Sequence, residues 1–246
     1  MNIRNMDKLP EGARKALEPF LQEVIEAYGN DLVSIFAYGS VTGPDYNPKT
    51  SDINVAVVLK DVTLPRLKEL LKPVQKASRK GITAPLFLSP EYIRMSLDTF
   101  PIEFWTMKDS RCVLFGEDVL EGIEVEKEDL RRECEYQLKG KLLMIRQAYL
   151  EQALNRKGAE KIIKASFRSL MPVFRSMIRL KSGQSPREKA EVLSQMGEEF
   201  GVDPASFLEV LRDKKTASPI GRGEAEPLIK GFIDQLERLS SIADNF

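Results

Sequence analysis

Histidine is absent from all 246 residues. Its imidazole is the side chain that ordinarily titrates near neutral pH, so the absence removes Ser-His-Asp and Cys-His catalysis, HExxH zinc sites and imidazole general bases together. Cysteine is nearly absent too. Cys112 and Cys134 are too few for a disulfide framework, and their spacing suggests no metal site. There is no excess charge of either sign, because 37 basic residues cancel 37 acidic ones. No overall field draws the chain to nucleic acid or membrane, so electrostatic effects have to be local. No run approaches the ~20 apolar residues of a membrane span, and the first twenty residues hold no apolar core of signal-peptide length. The expected setting is the cytoplasm, with no membrane partner. Chemistry in this chain must run on carboxylates, hydroxyls, lysines and metal ions bound through oxygen.

What is present reads as an ordinary globular chain, with 42% hydrophobic and 30% charged residues. Its length suffices for one large domain or two ordinary ones. Residues 11–28 place Ala13, Leu17, Phe20, Leu21, Val24 and Ile25 at helical spacing. "DLVSIFAYGS" and "INVAVVL" are short apolar runs beside turn signals and predict strands, as do "APLFLS", "FPIEFWTM" and "CVLFG". One helix is expected between Val62 and Lys80, stopped by Gly81, and Ser89-Pro90 marks the start of another. After Gly116 the strand signals end and long helical patterns take over. A capping box at Ser185-Pro186-Arg187-Glu188 predicts a helix over 186–200, and Asp203-Pro204 predicts the next. The expectation is a mixed α/β domain over residues 1–124, then an all-α helical bundle over 125–246.

The most informative stretch is "AYGSVTGPDYNPKTSDINVAVVL", Ala37 to Leu59. A glycine and a serine straight after a buried strand let the backbone turn closely around a phosphate, with N–H groups and a hydroxyl as donors. Alone, such a pair is usually a plain turn. Twelve residues after Ser40, however, Asp52 stands at the head of an apolar strand. Asn54 follows two residues on, which puts both side chains on one face. Glu103 lies within "PIEFW", and a carboxylate among strand core residues is costly to bury without a cation or partner. Three oxygen side chains converging beside a phosphate-binding turn make a Mg²⁺-nucleotide site, which works by positioning and charge neutralisation. The bland readings are a turn aspartate at Asp52 and a salt-bridged strand residue at Glu103.

On these residues, over roughly 32–107, the sequence resembles the polymerase-β-like nucleotidyltransferases. With the helical second half, the whole chain resembles bacterial kanamycin and streptomycin adenylyltransferase-type proteins. The resemblance implies an α+β fold, with a nucleotidyltransferase-type mixed β-sheet, flanking helices and a C-terminal helical bundle. It implies phosphate contacts at Gly39 and Ser40, catalytic metal ligation by Asp52 and Glu103, and Mg²⁺ and ATP or another NTP as the bound species. A nucleoside monophosphate would pass to a hydroxyl of an unknown small-molecule or protein acceptor. The departure is Asn54, which stands where the pattern has a second carboxylate. An amide still offers a carbonyl oxygen but carries no charge and accepts no proton. Two metal ions ~4 Å apart need several carboxylates to offset their repulsion, so the loss weakens transfer more than nucleotide binding. The alternative is a catalytically degenerate nucleotide-binding or interaction module, and a third reading is a structural protein with no nucleotide site.

Residues 156–189 hold ten Lys/Arg against two Glu. Lys157, Lys161, Lys164, Arg168, Arg175 and Arg179 lie within about 60° of one another on a helix, opposite an apolar face with Ile163, Phe167, Leu170, Phe174, Met177 and Ile178. Lys161, Lys164 and Arg168 are candidate phosphate or anion contacts. The bland readings are pairing with the acidic segment 116–135 or a solvated face. Phe167 and Phe174 point away from the stripe, which speaks against nucleic acid as a partner. The sequence leaves room for a homo-oligomer.

Overall fold

The two apolar runs at the head of the chain are buried on both faces because they form the centre of a sheet. A computed structural model describes residues 3–152, 156–216 and 225–246; for 152, 156–161, 163, 212–216 and 225 it describes the backbone alone. The chain divides into two units, Met1–Val125 and Glu126–Phe246. The first contains α1 (Glu11–Tyr28), β1 (Leu32–Tyr38), β2 (Asn54–Leu59), α2 (Leu64–Glu69), α3 (Leu71–Ser78), β3 (Leu86–Leu88), α4 (Pro90–Met95), α5 (Pro101–Asp109) and β4 (Cys112–Gly116). The sheet order is β3-β2-β1-β4. β1 pairs antiparallel with β2 and β4, and β2 pairs parallel with β3.

Alternation along β2 divides the core. Val55, Val57 and Leu59 face one side with Leu17, Leu21 and Val24 of α1. Ala56 and Val58 face the other with Ile93 of α4 and Phe104 and Met107 of α5. Asn54 shares the phase of Ala56, so it belongs to the side covered by α4 and α5. All six apolar positions expected in α1 are buried. Ser89 caps α4, accepting from the Tyr92 N–H at 3.1 Å. Ser89→Ala is expected to cost about 1 kcal/mol in urea unfolding, with Ser89→Asp close to wild type.

Three expectations fail here. "FPIEFWTM" is not a strand: Pro101 opens α5, burying Pro101, Ile102, Phe104 and Met107 and leaving Glu103 exposed in the first turn. A proline at the first helical position fixes φ for a helix, and so short an apolar run suits either structure. The segment 62–80 forms two helices, broken at Leu70 (φ −100°, ψ 6°). Pro73, the third residue of α3, lacks the N–H that would bond the Glu69 carbonyl, which favours the break there. The Ser185 box does not form either. α8 (Lys189–Phe200) starts after Glu188, and the Ser185 hydroxyl donates to the Pro186 carbonyl.

The second unit also contains α6 (Lys127–Gln152), α7 (Arg156–Ser182), α9 (Ala205–Thr216) and α10 (Ala225–Ala243). Phe167, Leu170, Phe174, Met177 and Ile178 of α7 are buried as expected, and α7 continues through Pro172. The Asp203 carboxylate accepts from the Ala205 N–H at the start of α9. Glu135 of α6 meets Arg131 at 3.0 Å and Lys139, which in turn reaches Asp244 after α10 at 3.3 Å. The Lys139 ammonium, with Asp244 and Arg131 contributing less, holds the Glu135 carboxyl down at about 2, against an ordinary 4.5. A depressed carboxyl stabilises the fold above its unfolded value, and the contribution is lost on acidification. The melting temperature of this unit should fall between about pH 4.5 and pH 2 in wild type. Glu135→Gln should flatten that slope.

Candidate functional site: the Gly39-Ser40 turn

β1 ends at Tyr38, and the chain reverses through a single 3₁₀ turn, Gly39–Thr42. Gly39 sits at φ +79°, the left-handed region that glycine alone enters without strain. Its N–H donates to the Ser110 hydroxyl at 2.9 Å, and that hydroxyl donates onward to the Thr106 carbonyl at 2.5 Å. The Thr42 hydroxyl lies 2.9 Å from the Gly39 carbonyl and 2.5 Å from that of Ser110. The turn is thus tied to the C-terminal end of α5. Ser40 is half-buried, and its hydroxyl has no hydrogen-bond partner among the described residues.

Asn54 pairs with Tyr38 across the β1–β2 register, one residue from Gly39. Its Oδ1 accepts from the Thr83 hydroxyl at 3.0 Å. Its Nδ2 turns toward Gly39, where an added Cβ would lie 3.3 Å from it. Gly39→Ala therefore meets both a strained φ and the Asn54 amide. The expected result is a loss of about 1–2 kcal/mol in urea unfolding. Asp52 precedes β2 and is exposed.

Glu103 does not join these groups from a neighbouring strand. It lies ~10 Å along the α5 axis from Ser110, at 1.5 Å per residue. Among the described residues no three or more His, Cys, Asp or Glu side chains converge where they could hold a metal ion. The donor set, one carboxylate at Asp52 and a neutral Asn54 carbonyl that already accepts from Thr83, carries charge for one magnesium ion brought by a triphosphate. The residues do not fit a second ion, which would need further carboxylates. Burial pushes the Cys112 thiol up, and likewise the Cys134 thiol, so neither is a thiolate nucleophile.

Of the basic stripe, the side chains of Lys157 and Lys161 and of the facing Ile163 lie outside the described residues. Lys164 is half-buried and Arg168 exposed. Arg175 is half-buried and donates to the Arg187 carbonyl, and Arg179 is only 9% exposed. The stripe is therefore not one continuous open face, and its C-terminal end packs into the bundle. In the acidic segment, Asp118 pairs with Arg111, Glu128 and Glu135 with Arg131, and Asp129 with Arg132.

Thr42, Thr83 and Ser110 escaped the reading from sequence. Thr83 had a faint signal, a polar residue at the head of an apolar run, as Asp52 and Asn54 are. Ser110 had none.

A mixed sheet of this order with flanking helices, followed by an all-α unit, is the nucleotidyltransferase-type α+β fold. Ten chains of solved structures match it. One is the crystal structure of spectinomycin adenyltransferase AAD(9) from Enterococcus faecialis with ATP and spectinomycin, at a TM-score of 0.58 and 12% sequence identity, covering 91% of this chain and 99% of that one. No family model matches the chain, and no curated protein matches it by sequence. The likeness is one of fold. No helix among the described residues is long and apolar enough to cross a membrane.

Proposed function

We propose that this chain binds a nucleoside triphosphate, ATP being the first candidate, as its magnesium complex at the Gly39-Ser40 turn, and that it transfers the nucleotidyl group poorly or not at all. Gly39 lets the backbone approach the phosphates, and the Ser40 hydroxyl donates to them. Asp52 is the carboxylate that meets the magnesium the nucleotide carries. Lys161, Lys164 and Arg168 enter the proposal only as anion contacts of the helical unit. The observation that carries the reading is the Asn54–Thr83 hydrogen bond of 3.0 Å, which puts a neutral pair where a metal-pair enzyme needs charge. ATP as ligand is supported by the fold likeness to an adenyltransferase solved with ATP. That protein's spectinomycin is not carried over, because acceptor identity resides in site side chains rather than in the fold.

The test is calorimetric titration with ATP, with and without Mg²⁺, beside a pyrophosphate-release assay over a panel of hydroxyl acceptors. Magnesium-dependent binding with no release above background is the expected result. Release at ordinary enzymatic rates, ~1 s⁻¹ or more, would establish a working transferase instead. No binding of any NTP would remove the nucleotide reading.

A further inference from the structure

We infer that Thr83 is a positioning residue of this site, and that the pair at 54 and 83, not Glu103, sets how many divalent cations the sheet can hold. The ligand invoked rests on the nucleotide reading above; the geometry does not.

The backbone locks the two positions side by side. The Ile53 N–H donates to the Gly81 carbonyl at 2.9 Å, and the Thr83 N–H donates to the Ile53 carbonyl at 3.0 Å. Ile53 and Ile82 form a parallel bridge that continues into the β2–β3 pairing. The side chains of Asn54 and Thr83 then meet, Oγ1 to Oδ1, at 3.0 Å, and Oγ1 also lies 3.3 Å from the Ile53 carbonyl.

Two consequences follow. With Oδ1 receiving the hydroxyl, the amide has a fixed orientation, and its Nδ2 is aimed at Gly39. Thr83 thus selects which end of Asn54 meets a ligand on the turn. Secondly, a carboxylate at 83 would bring its oxygens within reach of whatever residue 54 ligates, because the two side chains already touch. Glu103, exposed in the first turn of α5, has no such contact with 54. The present pair carries no charge, so it contributes nothing to offset a second divalent ion.

The test uses the full chain and Mn²⁺ alone, counted by the loss of its free paramagnetic resonance signal. Asn54→Asp with Thr83→Asp should bind one Mn²⁺ at least ~10-fold tighter than Asn54→Asp by itself. The single Thr83→Asp variant should gain ~3-fold, and it decides the matter if the double variant does not fold. No gain in either, or a gain abolished by adding Glu103→Gln, would overturn the assignment. In the native background, Thr83→Val should weaken Mg-ATP binding ~10-fold with an unchanged melting curve, and Thr83→Ser should restore it. A silent Thr83→Val in a protein that does bind ATP would remove the positioning role. If wild type binds no nucleotide, the function proposed above fails, while the Mn²⁺ series still decides this inference.

Discussion

On the proposed function, Asp52→Ala is expected to abolish the stabilisation that magnesium and ATP together would give this protein. A ligand that binds only the folded state at 100 times its dissociation constant adds about 2.7 kcal/mol. For a chain of this size that corresponds to a rise of roughly 5–10 °C in melting temperature. Asp52 is the carboxylate the proposal assigns to the magnesium, because Asn54 is an amide already bonded to Thr83 and Glu103 lies in the first turn of α5. Its removal leaves the Ser40 hydroxyl and neutral groups to hold a tetraanion. Thermal melts of wild type and variant, each with ATP in magnesium and in chelator, read the effect directly. Wild type should shift only with magnesium, and Asp52→Ala should not shift in either buffer. A variant that still shifts by the full amount would place the nucleotide elsewhere. Because Asp52 is exposed, the unliganded variant should melt like wild type, within ~0.5 kcal/mol.

Phe207→Ala carries the largest expected loss of stability. Phe207 of α9 is 1% exposed and meets Phe174 of α7 edge-on at 5.1 Å and Phe232 of α10 at 4.5 Å. Truncating a buried phenylalanine costs about 3–5 kcal/mol in transfer and cavity terms, and each such aromatic pair adds ~1 kcal/mol. Urea unfolding followed by far-UV circular dichroism should show a loss of at least ~3 kcal/mol in the helical unit. Phe207→Leu, which refills most of the volume, should lose no more than about 1.5 kcal/mol. A loss under ~1 kcal/mol for the alanine variant would mean that the three rings do not form the centre of that core.

What could be read from the chain beforehand follows from how local each signal is. The apolar spacing of α1, the runs that became β1 and β2, and the Ser89 cap are each set within a few residues, and each is found in the structure. "FPIEFWTM" failed because eight residues cannot separate a buried strand from a buried helix; its packing against Phe36 and Val58 decides. The Ser185 box failed for a related reason. A capping pattern offers a hydrogen bond but cannot ensure that the backbone before it enters helical angles. Separating Glu103 from the site required the first of these corrections, since only as a strand residue would it have pointed where Asp52 points.

The sequence by itself determined the chemistry open to this protein: without histidine it has no imidazole catalysis, and at Asn54 it has a neutral amide where the resembling pattern has a carboxylate. Those are properties of residue type and survive any fold. Only the tertiary structure decided which groups meet. Gly39 finds Ser110 across 71 residues, and Asn54 finds Thr83 across 29. Both contacts follow from strand register and from where a helix ends. No local pattern encodes such distances, because they are fixed by packing the two faces of one sheet.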